Sequence, residues 1–313
     1  MITKSNHSKD SSRQRIRDIV GTPLPDSIAF NSMNSVLNVS RELLLSKRKS
    51  IKEKRKSVLP FYRKLWELAG SEEVLKSFQS LSIGESYEKK ERPILVGQTV
   101  HSEIKLGSVE AIFAPPYDYA WTEGVGDANY GKWTYKSSPA SLHEMLADKK
   151  GGNLKVHNKV VLIDNNDAYA GLGIFYRPLT NGYKRFRFGG NWNNYWVDDS
   201  FILTANNYGF VGIYIVEFDP DGTNMKIIQD RRYPLWNDGT GWFEHHEDTV
   251  EGAAGGFESF PFYGSPEKRY ICWAWCGCQV ESDDENALGL LPAASFAEAL
   301  LEIHISAMSI KEA

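Results

Sequence analysis

Two apolar runs constrain this chain more than anything else in it. They are Ile271-Cys-Trp-Ala-Trp-Cys-Gly-Cys-Gln-Val280 and Phe210-Val-Gly-Ile-Tyr-Ile-Val-Glu-Phe218. Both alternate in side-chain size yet stay apolar on both faces. A strand of that kind has to be covered above and below, which places it at the centre of a sheet. Most of the tryptophans and all three cysteines lie in the same stretch, between Tyr183 and Val280. The reading is a mainly β chain: a large antiparallel β-sandwich, jelly-roll-like, built around these two runs.

The rest of the C-terminal two thirds agrees. Strands are expected near Lys155–Asp164, Ala168–Tyr176, Tyr183–Phe188, Phe201–Asn206, Phe210–Asp219, Lys226–Arg231, Gly241–Glu247, Phe257–Phe262, Arg269–Val280 and Ala299–Ile310. Turn signals separate them: Asn165-Asn-Asp, Thr180-Asn-Gly, Asp219-Pro-Asp-Gly and Asn237-Asp-Gly. The last strand is the cleanest. Ala299, Leu301, Ile303, Ile305 and Ala307 share one face, while Glu302, His304 and Ser306 share the other, so one side meets the core and one meets water. Regularly spaced strands with little helix favour a sandwich over alternating β and α units. One short helix is expected within this region, with Ser138 as N-cap, Pro139 at its first position and Gly151-Gly152 as its stop.

The N-terminal third reads differently. Residues 1–24 form a polar tail with no apolar core to bury. Residues 25–82 form a basic helical segment, from about Ser32 to Ser80, with apolar spacing at Met33, Val36, Leu37, Leu43, Leu44 and Ile51. Residues 83–93 are a charged linker, and 94–313 the sandwich domain. Residues 1–100 carry 19 Lys and Arg against 11 Asp and Glu, a net of +8, whereas the remainder carries 17 against 29, a net of −12. That asymmetry suits segments with different partners, or segments that meet each other across copies of the chain. The basic run at Lys47, Arg48, Lys49, Lys52, Lys54, Arg55 and Lys56 is the candidate contact for a protein partner, a second copy or an acidic membrane surface. Nucleic acid is disfavoured, because no aromatic residues interleave the run and the larger domain repels phosphate. Neither a secretory leader nor an apolar run of membrane-spanning length is visible, so synthesis and folding in a reducing cytoplasm are expected, with specialised export still open.

The chemistry-bearing residues form no catalytic motif. Cys272, Cys276 and Cys278 share strand parity and read as small buried residues rather than a metal set. In Trp242-Phe-Glu-His-His-Glu-Asp248 a strand would put His245 and Glu247 on one face and Glu244, His246 and Asp248 on the other. A metal site there needs a third ligand from elsewhere, for which His143, His157 and His304 are candidates that nothing in the sequence links to it, so no metal, cofactor or catalytic residue is assigned. Asp219-Pro-Asp-Gly-Thr-Asn224 lacks the distal carboxylate of a calcium loop and reads as a turn.

The aromatic residues are the candidate ligand contacts: Tyr117, Trp121, Trp192, Tyr195, Trp196, Trp236 and Trp242. They sit among Asn, Asp and Gly in segments read as loops. Flat rings beside amides can stack on sugars or anchor a protein partner, and they can equally cap the sandwich core. The run Ala114-Pro-Pro-Tyr-Asp-Tyr-Ala-Trp121 resembles segments of bacterial β-rich proteins, a resemblance to which no activity attaches. The leading reading is a non-enzymatic binding or assembly protein. Its sandwich presents an aromatic recognition surface, and its basic arm serves oligomerisation or docking. A lectin-like carbohydrate-binding protein is the alternative; a membrane-active toxin and a metal-assisted hydrolase stand behind it.

Overall fold

The computed structural model describes residues 22–37, 109–125, 142–161, 164–200, 204–240, 244–283 and 295–313. The polar tail to residue 21, the basic run at 47–56, the later helices, the linker and Trp242 lie outside the described residues.

Among the described residues, helix α1 covers residues 26–37 and twelve strands come after it in sequence. These are β1 (Val109–Phe113), β2 (Tyr119–Val125), β3 (Leu142–Asp148), β4 (Asn153–Val161), β5 (Asp164–Tyr176), β6 (Gly182–Ser200), β7 (Thr204–Phe218), β8 (Lys226–Thr240), β9 (Glu244–Glu258), β10 (Phe262–Gly264), β11 (Arg269–Asp283) and β12 (Ser295–Glu312). All strand pairings are antiparallel, and the strands form two sheets. The five-stranded sheet runs β2-β5-β11-β7-β8. The seven-stranded sheet runs β10-β6-β12-β4-β3, with β9 also on β6 and β1 also on β12. The chain crosses between sheets repeatedly, as in a jelly-roll.

The two apolar runs lie where their pattern demands. β11 is the central strand of its sheet, and β7 is its neighbour. Cys272, Ala274, Cys276, Cys278 and Val280 face the interior between the sheets with Leu172, Ile174, Val211, Ile213 and Ile215. From the other sheet Val156, Phe186, Phe188, Leu301, Ile303 and Ile310 meet them. All three cysteines are free and buried, and burial pushes their thiols well above the ordinary range.

The outward side of the five-stranded sheet is apolar too. Tyr119, Trp121, Tyr169, Phe175, Phe210, Tyr214, Ile271, Trp273 and Trp275 form a second cluster there, and α1 lies on it through Ala29, Met33 and Leu37. Those three recur every four residues, so one stripe of the helix is buried. Polar tips tie helix to sheet. Trp121 Nε1 donates to Asn34 Oδ1 at 2.9 Å, Tyr119 donates to the Leu24 carbonyl at 2.9 Å, and Ser35 Oγ lies 2.9 Å from the Tyr214 hydroxyl. The large rings find room over glycines. Trp273 is opposite Gly173 in register, and Trp275 is opposite Gly171 and Gly212.

Several expected elements differ. The helix begins at residue 26 rather than near Ser32, with the Pro25 carbonyl accepting from the Ile28 and Ala29 amides. The expected helix after Ser138 is instead strand β3, hairpin-paired with β4 around Lys149–Gly152. Its capping-like signal loses to tertiary pairing: Met145 and Ala147 alternate onto the core. Asn237-Asp-Gly is not a turn but part of β8, paired with Tyr208, Asn207 and Asn206. The Asp219 turn is as expected, with the Gly222 amide bonded to the Asp219 carbonyl at 2.9 Å and Gly222 at φ +83°.

Candidate functional site

The segment from Gly189 to Asp199, read as an aromatic loop, is the middle of the 19-residue strand β6. That changes what its rings can do. Trp192 packs towards the core and tilts against Phe257 at 5.6 Å, while Tyr195 and Trp196 are buried. Tyr117 is buried and donates to the Ile305 carbonyl at 2.9 Å. Trp121 is under α1, and Trp236 is buried with its Nε1 donating to Asn207 Oδ1 at 2.8 Å. The structure does not gather these residues into one surface. Apart from Tyr195, buried on the outward side of β6, they pack into the two apolar clusters, a role their residue types equally allow, because large rings gain most by leaving water.

Polar chemistry lines the outward side of the seven-stranded sheet, half-buried on β4 and β12 and buried on β6 at Asn191, Asn193, Tyr195 and Val197. Strand parity puts every second residue there, and pairing register aligns those residues into rows across β4, β12 and β6. One row is Asn153, His304 and Asn191; the next is Lys155, Glu302 and Asn193; then His157, Leu300 and Tyr195; then Lys159, Glu298 and Val197. Strand β3 adds Glu144 beside His157. Amides, imidazoles, carboxylates and amines thus share one face.

These groups bond to one another. His157 Nε2 lies 2.7 Å from Glu298 Oε1, Lys159 Nζ lies 3.5 Å from Glu298 Oε2, and Lys155 pairs with Glu144 at 3.4 Å. Burial alone would raise the Glu298 pKa, but the His157 hydrogen bond and the Lys159 charge outweigh it and hold the carboxyl below its ordinary value. His304 Nδ1 lies 2.9 Å from Asn153 Oδ1. The β9 bulge closes over Asn193, whose Oδ1 accepts from the Gly252 amide at 2.7 Å.

Further along β6 the same face carries exposed rings. Tyr183 and Tyr263 are opposite in register, 62% and 54% exposed, with ring centroids 5.7 Å apart in an edge-to-face arrangement. Neither ring stands among the aromatic residues expected as ligand contacts. The usable signal was their position at strand ends beside Gly182 and Gly264, with Tyr183 out of phase with the inward Phe186 and Phe188.

The other clusters resolve as follows. His245 lies 3.8 Å from Glu247 on one side of β9, and His246 turns to Asp238 at 2.8 Å on the other, the parity expected of a strand. Among the described residues no three His, Cys, Asp or Glu side chains come together as a metal-binding group. Asp198 is wholly buried beneath this end of the sandwich. Burial first, then the Asp238 charge, raises its carboxyl to about 8. The Asn207 amide opposes that, and its Nδ2 also donates to the Glu298 carbonyl at 2.7 Å. Among the described residues no helix is long and apolar enough to cross a membrane.

No family model and no curated protein matches this sequence. Solved structures do align with it. One is a carbohydrate-binding module of family 61 in complex with beta-1,4-galactotriose, at 11% identity over 55% of this chain and 88% of that one, with a TM-score of 0.16. Another is a xylan-binding domain of family 22, at 12% identity over 63% and 96%, with a TM-score of 0.17. A third is the enzymatically active domain of tailspike protein 4 of bacteriophage CBA120, at 11% identity over 63% of this chain and 19% of that one, with a TM-score of 0.19. At such TM-scores these similarities carry no argument about function.

Proposed function

We propose that this protein is a non-enzymatic binding module that presents the outward side of its seven-stranded sheet to a glycan. One observation carries the reading: register aligns planar and hydrogen-bonding side chains in rows across that face, from Asn153, Lys155 and His157 through Glu302 and His304. Sugar hydroxyls are recognised by fixed amide, carboxylate and imidazole groups, and groups on neighbouring strands are held more rigidly than groups on loops. The Tyr183–Tyr263 pair adds exposed ring surface to the same face, suited to the apolar side of a pyranose.

The test is a glycan array probed with the full chain and with a Glu302→Ala, His304→Ala double variant. Retention on a defined set of glycans, lost in the variant at unchanged melting temperature, supports the reading. Absence of any retained glycan rejects it.

A further inference from the structure

The two ends of this face differ in charge, and the difference bears on the ligand. Beyond Asn191 the outward positions of β6 are Gly189, Arg187, Arg185 and Tyr183, with Ser309 and Lys311 beside them on β12. Glu258 is the carboxylate among them. Its Oε1 pairs with Arg185 at 2.9 Å and its Oε2 with Lys311 at 2.7 Å. Arg185 and Lys311 therefore share one anion, and Arg187 stands beside them as a third cation. Lys184 and Glu110 face inward as a pair at 2.5 Å, and Glu312 turns to Lys184 at 3.4 Å, so neither acid offsets the outward cations. Arg187 has no ion-pair partner among the described residues. Its guanidinium lies against β9 at Gly256, where an added Cβ would come within 2.8 Å of Nη2. Gly189 beside it adds no side chain to the sheet surface, and among the described residues nothing is nearer to an added Cβ than the Gly255 carbonyl at 3.7 Å.

A partly accessible guanidinium with no ion pair among the described residues lies next to a glycine in the sheet and, further along the strand, an exposed tyrosine pair. We infer that this end of the face takes an acidic glycan, a chain bearing carboxylates such as uronate residues. The inference rests on the glycan-binding reading above. Arg187 supplies a planar fork for a carboxylate, and Tyr183 and Tyr263 supply ring surface for another sugar further along the same chain. Tyr183 and Arg187 are four residues apart on one strand, about 13 Å, a spacing that addresses two non-adjacent residues of one extended chain. The net −12 of residues 101–313 opposes a polyanion at long range. That field is screened within about 10 Å at 0.1 M salt, whereas a direct guanidinium–carboxylate contact is not.

The experiment is affinity electrophoresis of the full chain in polygalacturonate and alginate, with neutral galactan and xylan in parallel, for wild type, Arg187→Gln and Tyr183→Ala. The expected result is retardation in a uronate polymer, weakened roughly tenfold or more in Arg187→Gln, with melting temperature unchanged and any neutral-glycan binding preserved. Retardation by neutral polymers alone, equal in wild type and Arg187→Gln, overturns the acidic-ligand inference and leaves the glycan-binding proposal standing. No retardation in any polymer, together with an empty array, overturns both.

Discussion

The two sheets follow the same period-two rule, yet their outward sides have opposite chemistry. On the five-stranded sheet the outward side is Tyr119, Phe175, Phe210, Trp273 and Trp275, buried with α1 lying on it. On the seven-stranded sheet the outward side of β12 is Glu298, Leu300, Glu302 and His304. The difference teaches where recognition can sit. A face that must be covered to keep its rings from water has no capacity left for a ligand, so binding chemistry falls to the other sheet. The sharpest way to break this comparison is to place a charge on each side. Met33→Asp puts a carboxylate under α1 at a wholly buried position and is expected to cost about 3–5 kcal/mol. Glu302→Ala, on the polar side, is expected to stay within about 0.5 kcal/mol. Urea unfolding of both variants decides; similar midpoints would mean that α1 does not cover the sheet in solution.

A pair of carboxylates sharpens the same contrast within a single sheet. Asp198 pairs with Ala297 and points inward, whereas Glu298 pairs with Val197 and points outward. The first is raised to about 8 by burial, and the second is lowered by His157 and Lys159 against its own burial. Their effects on stability have opposite signs. Between the ordinary carboxylate pKa and about 8, the unfolded chain has released the Asp198 proton while the native state retains it. Stability therefore falls as pH rises through that window, with a slope approaching about 1.4 kcal/mol per pH unit. Glu298 stabilises above its unfolded pKa, and that contribution is lost as pH falls through its lowered folded value. Asp198→Asn should flatten the decline from pH 5 to 8, and Glu298→Gln should flatten the loss at acid pH. Chemical denaturation across pH checks both, and a Asp198→Asn profile parallel to wild type would refute the burial account.

The legible parts of the fold are those where one residue pattern has one physical solution. β11 and β7 are apolar on both faces, so they had to be central, and β12 alternates cleanly, so it had to have one open side. β3 was illegible because Ser138-Pro139 and Gly151-Gly152 imitate helix ends, while the strand is fixed by its hairpin with β4, a tertiary fact. The middle of β6 was illegible for a related reason. Asn191, Asn193 and Asn194 are poor strand formers, and pairing on both sides, with β12 and with β9, overrides their preference. That error carried over to the site. Trp192, Tyr195 and Trp196 look like loop platforms only if the segment is a loop; on a strand paired on both edges they pack. The rows across β4, β12 and β6 depend on register, which no single-sequence pattern specifies.

Glycines give the finest test of the two outward sides. Gly173 faces the covered side, and an added Cβ would lie 2.8 Å from the Trp273 ring; Gly189 faces the polar side, with nothing nearer than 3.7 Å among the described residues. Neither has the positive φ that would confound a substitution. Gly173→Leu must push the buried Trp273 aside under α1, an overpacking cost of about 1–3 kcal/mol. Gly189→Ala places a methyl in ordinary van der Waals contact with the Gly255 carbonyl and is expected within about 0.5 kcal/mol of wild type. Thermal and urea unfolding of the two variants separate a packed face from a less crowded one. If Gly189→Ala costs as much as Gly173→Leu, the strip beside Arg187 is not open and the face cannot seat a chain there. If the two differ as expected while Gly189→Ala weakens polymer retardation, the strip is itself part of the binding surface.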